Sequence, residues 1–406
     1  MGATIDRTKT KPKSPANVLD RAIAIAEHYG FHDARKAASL LPRPPQTATG
    51  NFVPTTLRDC NELAMMKKIS AVPAAVVSGA LRKQLIEPIL LYTLNQETST
   101  KGKQGGTCQL SLEALGIPGS LGEALTIRTA LAILEETGQP NTFVEINSLG
   151  DRDSFARFLR DCLAFYRRYI ETIHAYCRNN LRKNPLIVLE CGHRACKALR
   201  DEAPRPINYL SEASRRHFKE VLEYLELLQV PYRISETLVA SRHAYTKTVF
   251  AIRPDSPELF EETAEKLPEP SAFGGRYDDF ARRIGGRADI PATGITLTLH
   301  TTRSGPSRRT EQRPRAYFIQ IGPEARRKGL IVLEILRRAS VPVCQSLGTD
   351  KLTGQLMAAE GLGVPYTIIM GHKEALEESV IVRRTDTRSQ ETVPIAELGK
   401  YARMIR

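Results

Sequence analysis

Four residues that could hold a metal stand close together in this chain: His174 and Cys177, then Cys191 and Cys196, with His193 between the last two. Thiolate sulfur and imidazole nitrogen are the ligands of tetrahedral zinc sites, so three thiols and an imidazole make a candidate structural Cys3His centre. The spacing is not that of a standard zinc module, and reduced thiols without metal are the alternative. A second cluster is Phe273-Gly274-Gly275-Arg276-Tyr277-Asp278. Its paired glycines permit close approach of a ligand or of another backbone, and its arginine offers a planar fork to phosphate. A third feature is the run of cations near the C-terminus: Arg326, Arg327, Lys328, Arg337, Arg338, Arg383, Arg384 and Arg388. They suit RNA phosphates, with Tyr317, Phe318, Tyr366 and Tyr401 as the few stacking aromatics. Tyr317 and Phe318 adjoin on a strand and point to opposite faces, so at least one of them belongs to the core.

The charge balance agrees with a polyanionic partner. The 406 residues carry 58 Lys and Arg against 45 Asp and Glu, a net +13. Hydrophobic content of 41% and charged content of 25% exclude a mostly disordered or collagen-like chain. No apolar run approaches the ~18 residues of a membrane span, and the N-terminus lacks the apolar core of a signal peptide. Gly2 is not followed by Ser or Thr at residue 6, which disfavours myristoylation. Seven cysteines, unevenly spread, do not make a secreted disulfide framework. A cytoplasmic protein without membrane contact is expected.

The elements that must position these groups fall into two lobes. Residues 1–15 read as a disordered basic tail. Apolar spacing predicts a helix from about 18 to 30, a loop over 41–56, helical pieces over 58–84 broken at Pro73, and a strand over 89–93. A Gly-rich turn over 99–107 leads to a strand over 108–115, a helix over 121–137 and a strand over 143–147. Long helical patterns fill 151–228, with strands expected at 230–234, 238–240, 248–252 and 295–299. Residues 301–315 are basic, polar and rich in Pro and Gly, and read as a linker. Beyond it, strand and helix alternate through an α/β lobe over 316–406.

Several stretches together resemble the histidyl-tRNA synthetases, which are class II aminoacyl-tRNA synthetases. They include Val144-Glu145-Ile146-Asn147-Ser148-Leu149-Gly150, Asn184-Pro185-Leu186, Asp201-Glu202-Ala203-Pro204, Asn208-Tyr209-Leu210 and His217-Phe218. Phe273-Gly274-Gly275-Arg276-Tyr277-Asp278 is the most specific. Ile321-Gly322, Gln355, Gly371 and the segment 378–394 around Gln390 resemble the family's anticodon-binding domain. The resemblance implies an α+β fold: an antiparallel class II core over 16–300, a helical insertion near 151–228, a C-terminal α/β anticodon-binding-like domain and a homodimer. It also implies that Gln109 and Glu113, spaced as in the family's Gln-x-Gly-x-Glu strand, line a histidine pocket with Tyr245, Gly274 and Gly275. The two lie on one face of a strand, where a carboxylate suits an ammonium and an amide suits an imidazole or amine.

The same resemblance shows what is missing. Adenylate formation is attack of the amino-acid carboxylate on the α-phosphate of ATP, and its transition state gathers negative charge that cations must meet. The family's motif 2 arginine falls near Ser99 and its glutamate near Lys101, and no arginine lies between Arg82 and Arg128. The arginine of a second family motif falls on Ala240, with Arg242 two residues away, about 7 Å along a strand. Motif 3 has Thr298, His300 and Thr301 where the family has Gly, Glu and Arg. Arg242, Arg276 and Arg128 are the candidate surrogates for the phosphate contacts.

The expectation is a synthetase paralogue with a degenerate ATP site, binding tRNA, free histidine or a partner. It is similar in kind to the synthetase-like regulatory subunit of ATP phosphoribosyltransferase, which generally lacks the anticodon domain that this chain retains. The rival readings are a divergent, working histidine–tRNA ligase, which would need ATP and Mg, and a purely structural partner of a true synthetase.

Overall fold

A computed structural model describes residues 17–34, 88–97, 106–240, 245–255, 270–279, 290–301, 313–345, 347 and 351–405. The expectations for the tail, the loop over 41–56, the helical pieces over 58–84, most of the Gly-rich turn, Arg242 and most of the linker lie outside these residues.

The first lobe is built on eight strands. They are β1 (His32–Asp33), β2 (Ile89–Glu97), β3 (Gly106–Leu115), β4 (Thr142–Gly150), β5 (Tyr232–Ile234), β6 (Lys247–Pro254), β7 (Ala272–Arg276) and β8 (Ala292–Thr301). They lie in the order β1-β2-β3-β8-β7-β6-β4-β5, antiparallel except for the pairs β1/β2 and β4/β5 at the two edges. Strand alternation divides the sheet into two faces. Leu110, Leu112, Ile295, Leu297, Phe250 and Ile252 point to one face and pack with α1 (Val18–His28) and α2 (Leu121–Glu136). The opposite face carries Gln109, Ser111 and Glu113, and beside them Gly294, Thr296 and Thr298 at register-matched positions.

Between β4 and β5 run α3 (Arg152–Arg168), three short helices α4 (Ala175–Asn180), α5 (Ile187–Glu190) and α6 (Arg194–Ala198), and α7 (Glu212–Leu227). The stretch 238–240, expected as a strand, is not one. Leu238, Val239 and Ala240 are buried because they pack in the second apolar cluster, and the Leu238 carbonyl accepts from Asn147 Nδ2 at 3.0 Å. An apolar run marks burial, and periodicity alone does not separate a buried loop from a strand.

The C-terminal lobe has strands β9 (Ala316–Gln320), β10 (Val343–Gln345), β11 (Tyr366–Met370), β12 (Ser379–Arg384) and β13 (Gln390–Pro394), in the order β10-β9-β11-β12-β13. Its helices are α8 (Pro323–Arg338), α9 (Leu352–Gly361), α10 (His372–Leu376) and α11 (Ile395–Met404). Tyr317 and Phe318 are both buried, on opposite faces of β9, so neither is available to stack on a base. No helix among the described residues is long and apolar enough to cross a membrane.

The lobes meet where α8 docks on α1 and α2, and one carboxylate organises the contact. Glu334 of α8 accepts from Tyr29 Oη at 2.6 Å and Arg337 Nε at 2.9 Å, and pairs with Arg128 of α2. Arg337 also reaches Glu136 at 2.9 Å, and His28 Nε2 donates to the Leu333 carbonyl at 2.9 Å. Two basic candidates from the sequence, Arg128 and Arg337, are therefore engaged in largely buried ion pairs within the protein. Burial, opposed by the Leu333 carbonyl, pushes the His28 imidazole down to about 4. Burial would raise the Glu334 carboxyl, but Arg337 and Arg128 hold it near about 2.

Both groups make the docking acid-sensitive. His28 is neutral in the folded chain and takes up a proton in the unfolded one, so stability falls as pH drops from 6.5 towards about 4. Glu334 adds a further loss as pH falls from 4.5 towards about 2. The expected loss at pH 5 relative to pH 7.5 is about 2 kcal/mol from His28, read as a lower urea midpoint. His28→Gln, which can still donate to the carbonyl but does not titrate, should flatten that dependence. An unchanged slope would place the acid sensitivity elsewhere.

Candidate functional site

The polar face of β3 and β8 is the candidate site. Glu113 is 4% exposed although it is a carboxylate. Burying such a charge requires close partners, and Tyr277, just past β7, donates its phenol to Glu113 Oε2 at 2.5 Å. Burial and the Glu113 charge push that phenol well above its usual range, so it stays protonated and a donor. Across the register, Glu113 faces Gly294, and Gly294 faces Gly275. Gly294 must lack a side chain, because its Cβ would run into the Glu113 carboxylate. Tyr245 is buried against Gly275 and meets Phe273 edge-on, with ring centroids 5.7 Å apart.

Four of the sequence candidates thus share a face: Glu113, Tyr245 and Gly275 cluster, and Gln109 lies four residues along β3, about 13 Å away. Ser111 between them meets Thr296 at 2.9 Å. Gly274 does not join them. Alternation turns it to the helical face, and a Cβ there would strike the backbone of Gly294 and Ile295 on β8. A Cβ on Gly275 would strike the Thr248 carbonyl and the Tyr245 ring. Both glycines therefore admit neighbouring protein. Tyr277 is the partner of Glu113 that the sequence reading did not single out as a site residue. Counting alternation through Gly274-Gly275-Arg276-Tyr277 places it beside Glu113.

The same alternation corrects Arg276. It points to the helical face, where it is 1% exposed. Its Nε donates to Glu123 Oε1 at 2.8 Å and its Nη2 to Glu123 Oε2 at 2.5 Å and to the Gly119 carbonyl, while Nη1 donates to Asp278 at 3.2 Å. His217 Nε2 donates to Glu123 Oε1 at 2.6 Å. Burial would raise the Glu123 carboxyl, but Arg276 and His217 hold it far below the usual range. The guanidinium anchors β7 to α2 and turns away from the site, so it does not supply the phosphate contact expected of it.

Among the described residues, the site-facing positions of β2, β3, β7 and β8 carry Thr93, Asn95, Gln109, Ser111, Glu113, Phe273, Gly275, Thr296, Thr298 and His300. None is an arginine or lysine. That donor set suits an ammonium and neutral polar groups.

A sequence profile described as "Anticodon binding domain" matches residues 316–404. The histidine–tRNA ligase 1 of Shouchella clausii is 28% identical over 388 residues, 93% of this chain and 84% of that one. The histidine–tRNA ligase of Aquifex aeolicus is 30% identical over 294 residues, 71% of this chain and 69% of that one. The chain belongs to the histidine–tRNA ligase family. The crystal structure of apo S. aureus histidyl-tRNA synthetase superposes with a TM-score of 0.46 at 20% identity, over 95% of this chain and 94% of that one. Within the histidine–tRNA ligase family, motif 3 here falls on β8. Thr298 and His300 stand on the site face and Thr301 on the other.

Proposed function

We propose that this member of the family binds histidine and tRNA without efficiently forming the adenylate, and acts as a regulatory or partner-binding protein. The observation that carries the reading is that the site-facing positions of β2, β3, β7 and β8 hold no arginine or lysine among the described residues, while Arg253 of β6, which alternation places on the same face, is tied to Glu145 at 2.5 Å. Adenylation requires the histidine carboxylate to attack the α-phosphorus while pyrophosphate leaves, and each cationic donor aimed at that transition state contributes on the order of 3 kcal/mol. Losing several such donors costs many orders of magnitude in rate even where their effects do not add. Glu113 and the Tyr277 phenol remain suited to an amino-acid ammonium, with Gln109 further along the strand for a polar side chain. The domain division at 16–300, 301–315 and 316–406 belongs to this reading, as does a homodimer.

The matched anticodon-binding domain supports tRNA as the partner. Arg388 is exposed in the turn between β12 and β13, and Arg383 on β12 is half-buried, so these remain candidates for phosphate contacts. Other basic residues are paired, Lys328 with Glu378 at 3.1 Å and Arg384 with Asp386 at 2.9 Å. Filter binding of unfractionated tRNA should show saturable binding that weakens steeply between about 50 and 200 mM salt. The same preparation, supplied with ATP, Mg and histidine, should leave that tRNA uncharged. Charging at the rate of an authentic ligase would overturn the proposal in favour of a divergent working enzyme. No tRNA binding at low salt would remove the RNA half of it.

A further inference from the structure

The helices α4, α5 and α6 have six, four and five residues. Helices this short do not persist on their own hydrogen bonds and depend on what ties them together. Four ligand-type side chains meet at their ends: His174 at the N-cap of α4, Cys177 within it, Cys191 at the C-cap of α5 and Cys196 in α6. One donor atom each of His174, Cys177 and Cys191 lies within 4.8 Å of the other two. Cys196 stands beside this group, its sulfur accepting the His174 backbone N–H at 3.4 Å.

We propose that His174, Cys177, Cys191 and Cys196 bind a zinc ion that fastens α4, α5 and α6 into one unit. Tetrahedral zinc holds sulfur at about 2.3 Å and imidazole nitrogen at about 2.0 Å, so its ligand atoms stand about 3.5–4 Å from one another. His174, Cys177 and Cys191 approach that spacing, and movement of the neighbouring Cys196 side chain completes the set. Three thiolates with one imidazole select zinc over harder divalent ions. With four protein ligands no coordination position stays open, so the site is structural, not hydrolytic. Ion binding displaces the protons of the three thiols into solvent, so the zinc leaves as pH falls.

The surroundings are arranged as a support for such a centre. The N–H of His174 aimed at the Cys196 sulfur is the kind of outer hydrogen bond that steadies a thiolate ligand. The His193 ring stacks on His174 with centroids 4.7 Å apart, and its Nδ1 accepts from the Ala195 N–H, which fixes the ring against which the ligand imidazole rests. Arg200 holds the Cys191 carbonyl at 2.5 Å. Cys162 is also buried in this lobe, and Cys344 is in the other one.

The test uses the full-length chain, purified under reducing conditions and never exposed to chelator, with zinc measured by mass spectrometry. About one zinc per chain is expected. Cys191→Ser and His174→Ala should each lower the content at least about fivefold, and Cys344→Ser should leave it unchanged. Because a ligand variant could fail to fold, the wild-type chain carries a second readout. After zinc removal and titration with Co(II), it should develop the visible d–d bands of a tetrahedral site together with thiolate-to-cobalt charge transfer. Zinc well below one per chain after zinc-supplemented growth would overturn the proposal. So would an octahedral Co(II) spectrum, an equal loss in Cys344→Ser, or a disulfide among these cysteines in the reduced preparation.

Discussion

Arg276→Ala is expected to destabilise the folded chain by about 3–5 kcal/mol, the cost of leaving one partner of a buried ion pair uncompensated. Glu123 is fully buried, and without Arg276 only His217 among the described residues still pairs with its carboxylate. The sign of the pH dependence separates this account from a merely enlarged cavity. In the wild type the Glu123 carboxyl is held far down, so the pair stabilises above the ordinary carboxylate range and weakens as pH falls. In the variant, burial without the guanidinium pushes the same carboxyl up, so the deficit should be larger at pH 8 than at pH 5. Replacing both partners with apolar residues of similar size, Glu123→Leu with Arg276→Met, should recover much of the loss. Urea unfolding at the two pH values measures all three variants. A deficit under about 1 kcal/mol for Arg276→Ala would mean that the guanidinium does not anchor β7, and would restore it as a candidate for the phosphate site.

The second large effect is on histidine binding. Glu113→Gln keeps the shape of the side chain and its contact with Tyr277 but removes the charge, and should weaken histidine by about 30–100-fold. Gly294→Ala should do comparable damage without removing any polar group, because its Cβ occupies the space of the Glu113 carboxylate and lies 3.1 Å from the Leu112 carbonyl. Titration calorimetry with free histidine reads both variants against the wild type. Retained affinity in the two variants would place the amino acid away from Glu113. Absence of binding by the wild type would remove the histidine pocket from the account.

Much of the fold is written in local patterns. The alternation of Leu110 and Leu112 with Gln109, Ser111 and Glu113 marks β3 and shows which of its residues share a face. The apolar spacing through Ala124, Ile127, Leu131 and Leu134 marks α2. β7 has no such signature, because Gly274 and Gly275 hold its centre and carry no side chain to reveal the period. Their meaning lies in what β6 and β8 bring against them, which is non-local. Arg276 looked available because its type suits phosphate. Its direction follows from strand parity, and its partner Glu123 is 153 residues earlier. Arg128 and Arg337 are a further case. They meet through Glu334 only after the two lobes dock, so their charges read as surface cations until the partners are known. The metal-like cluster was the reverse: spacing named four members, and the fold brings His174, Cys177 and Cys191 together even though the intervals match no standard module.

The missing donors were legible only through the family resemblance, since an absent arginine leaves no pattern of its own. The fold then adds what the motifs do not contain. Two of the three proposed surrogates, Arg128 and Arg276, are locked into buried ion pairs on the helical side of the sheet. Glu113 keeps a tightly held, phenol-capped carboxylate on the site face. On the proposed reading, an amino-acid pocket and a phosphate site are separable on this scaffold.

Histidine-dependent exchange of pyrophosphate into ATP tests this separation most directly, with an authentic histidine–tRNA ligase measured beside the purified chain. The reaction reports adenylate formation without tRNA, so it isolates the phosphate site from the C-terminal domain. The account predicts no exchange above the level without histidine, in a preparation whose histidine binding is confirmed by calorimetry. Exchange at a rate near that of the authentic ligase would contradict it, and would show that cations outside the described residues complete the site.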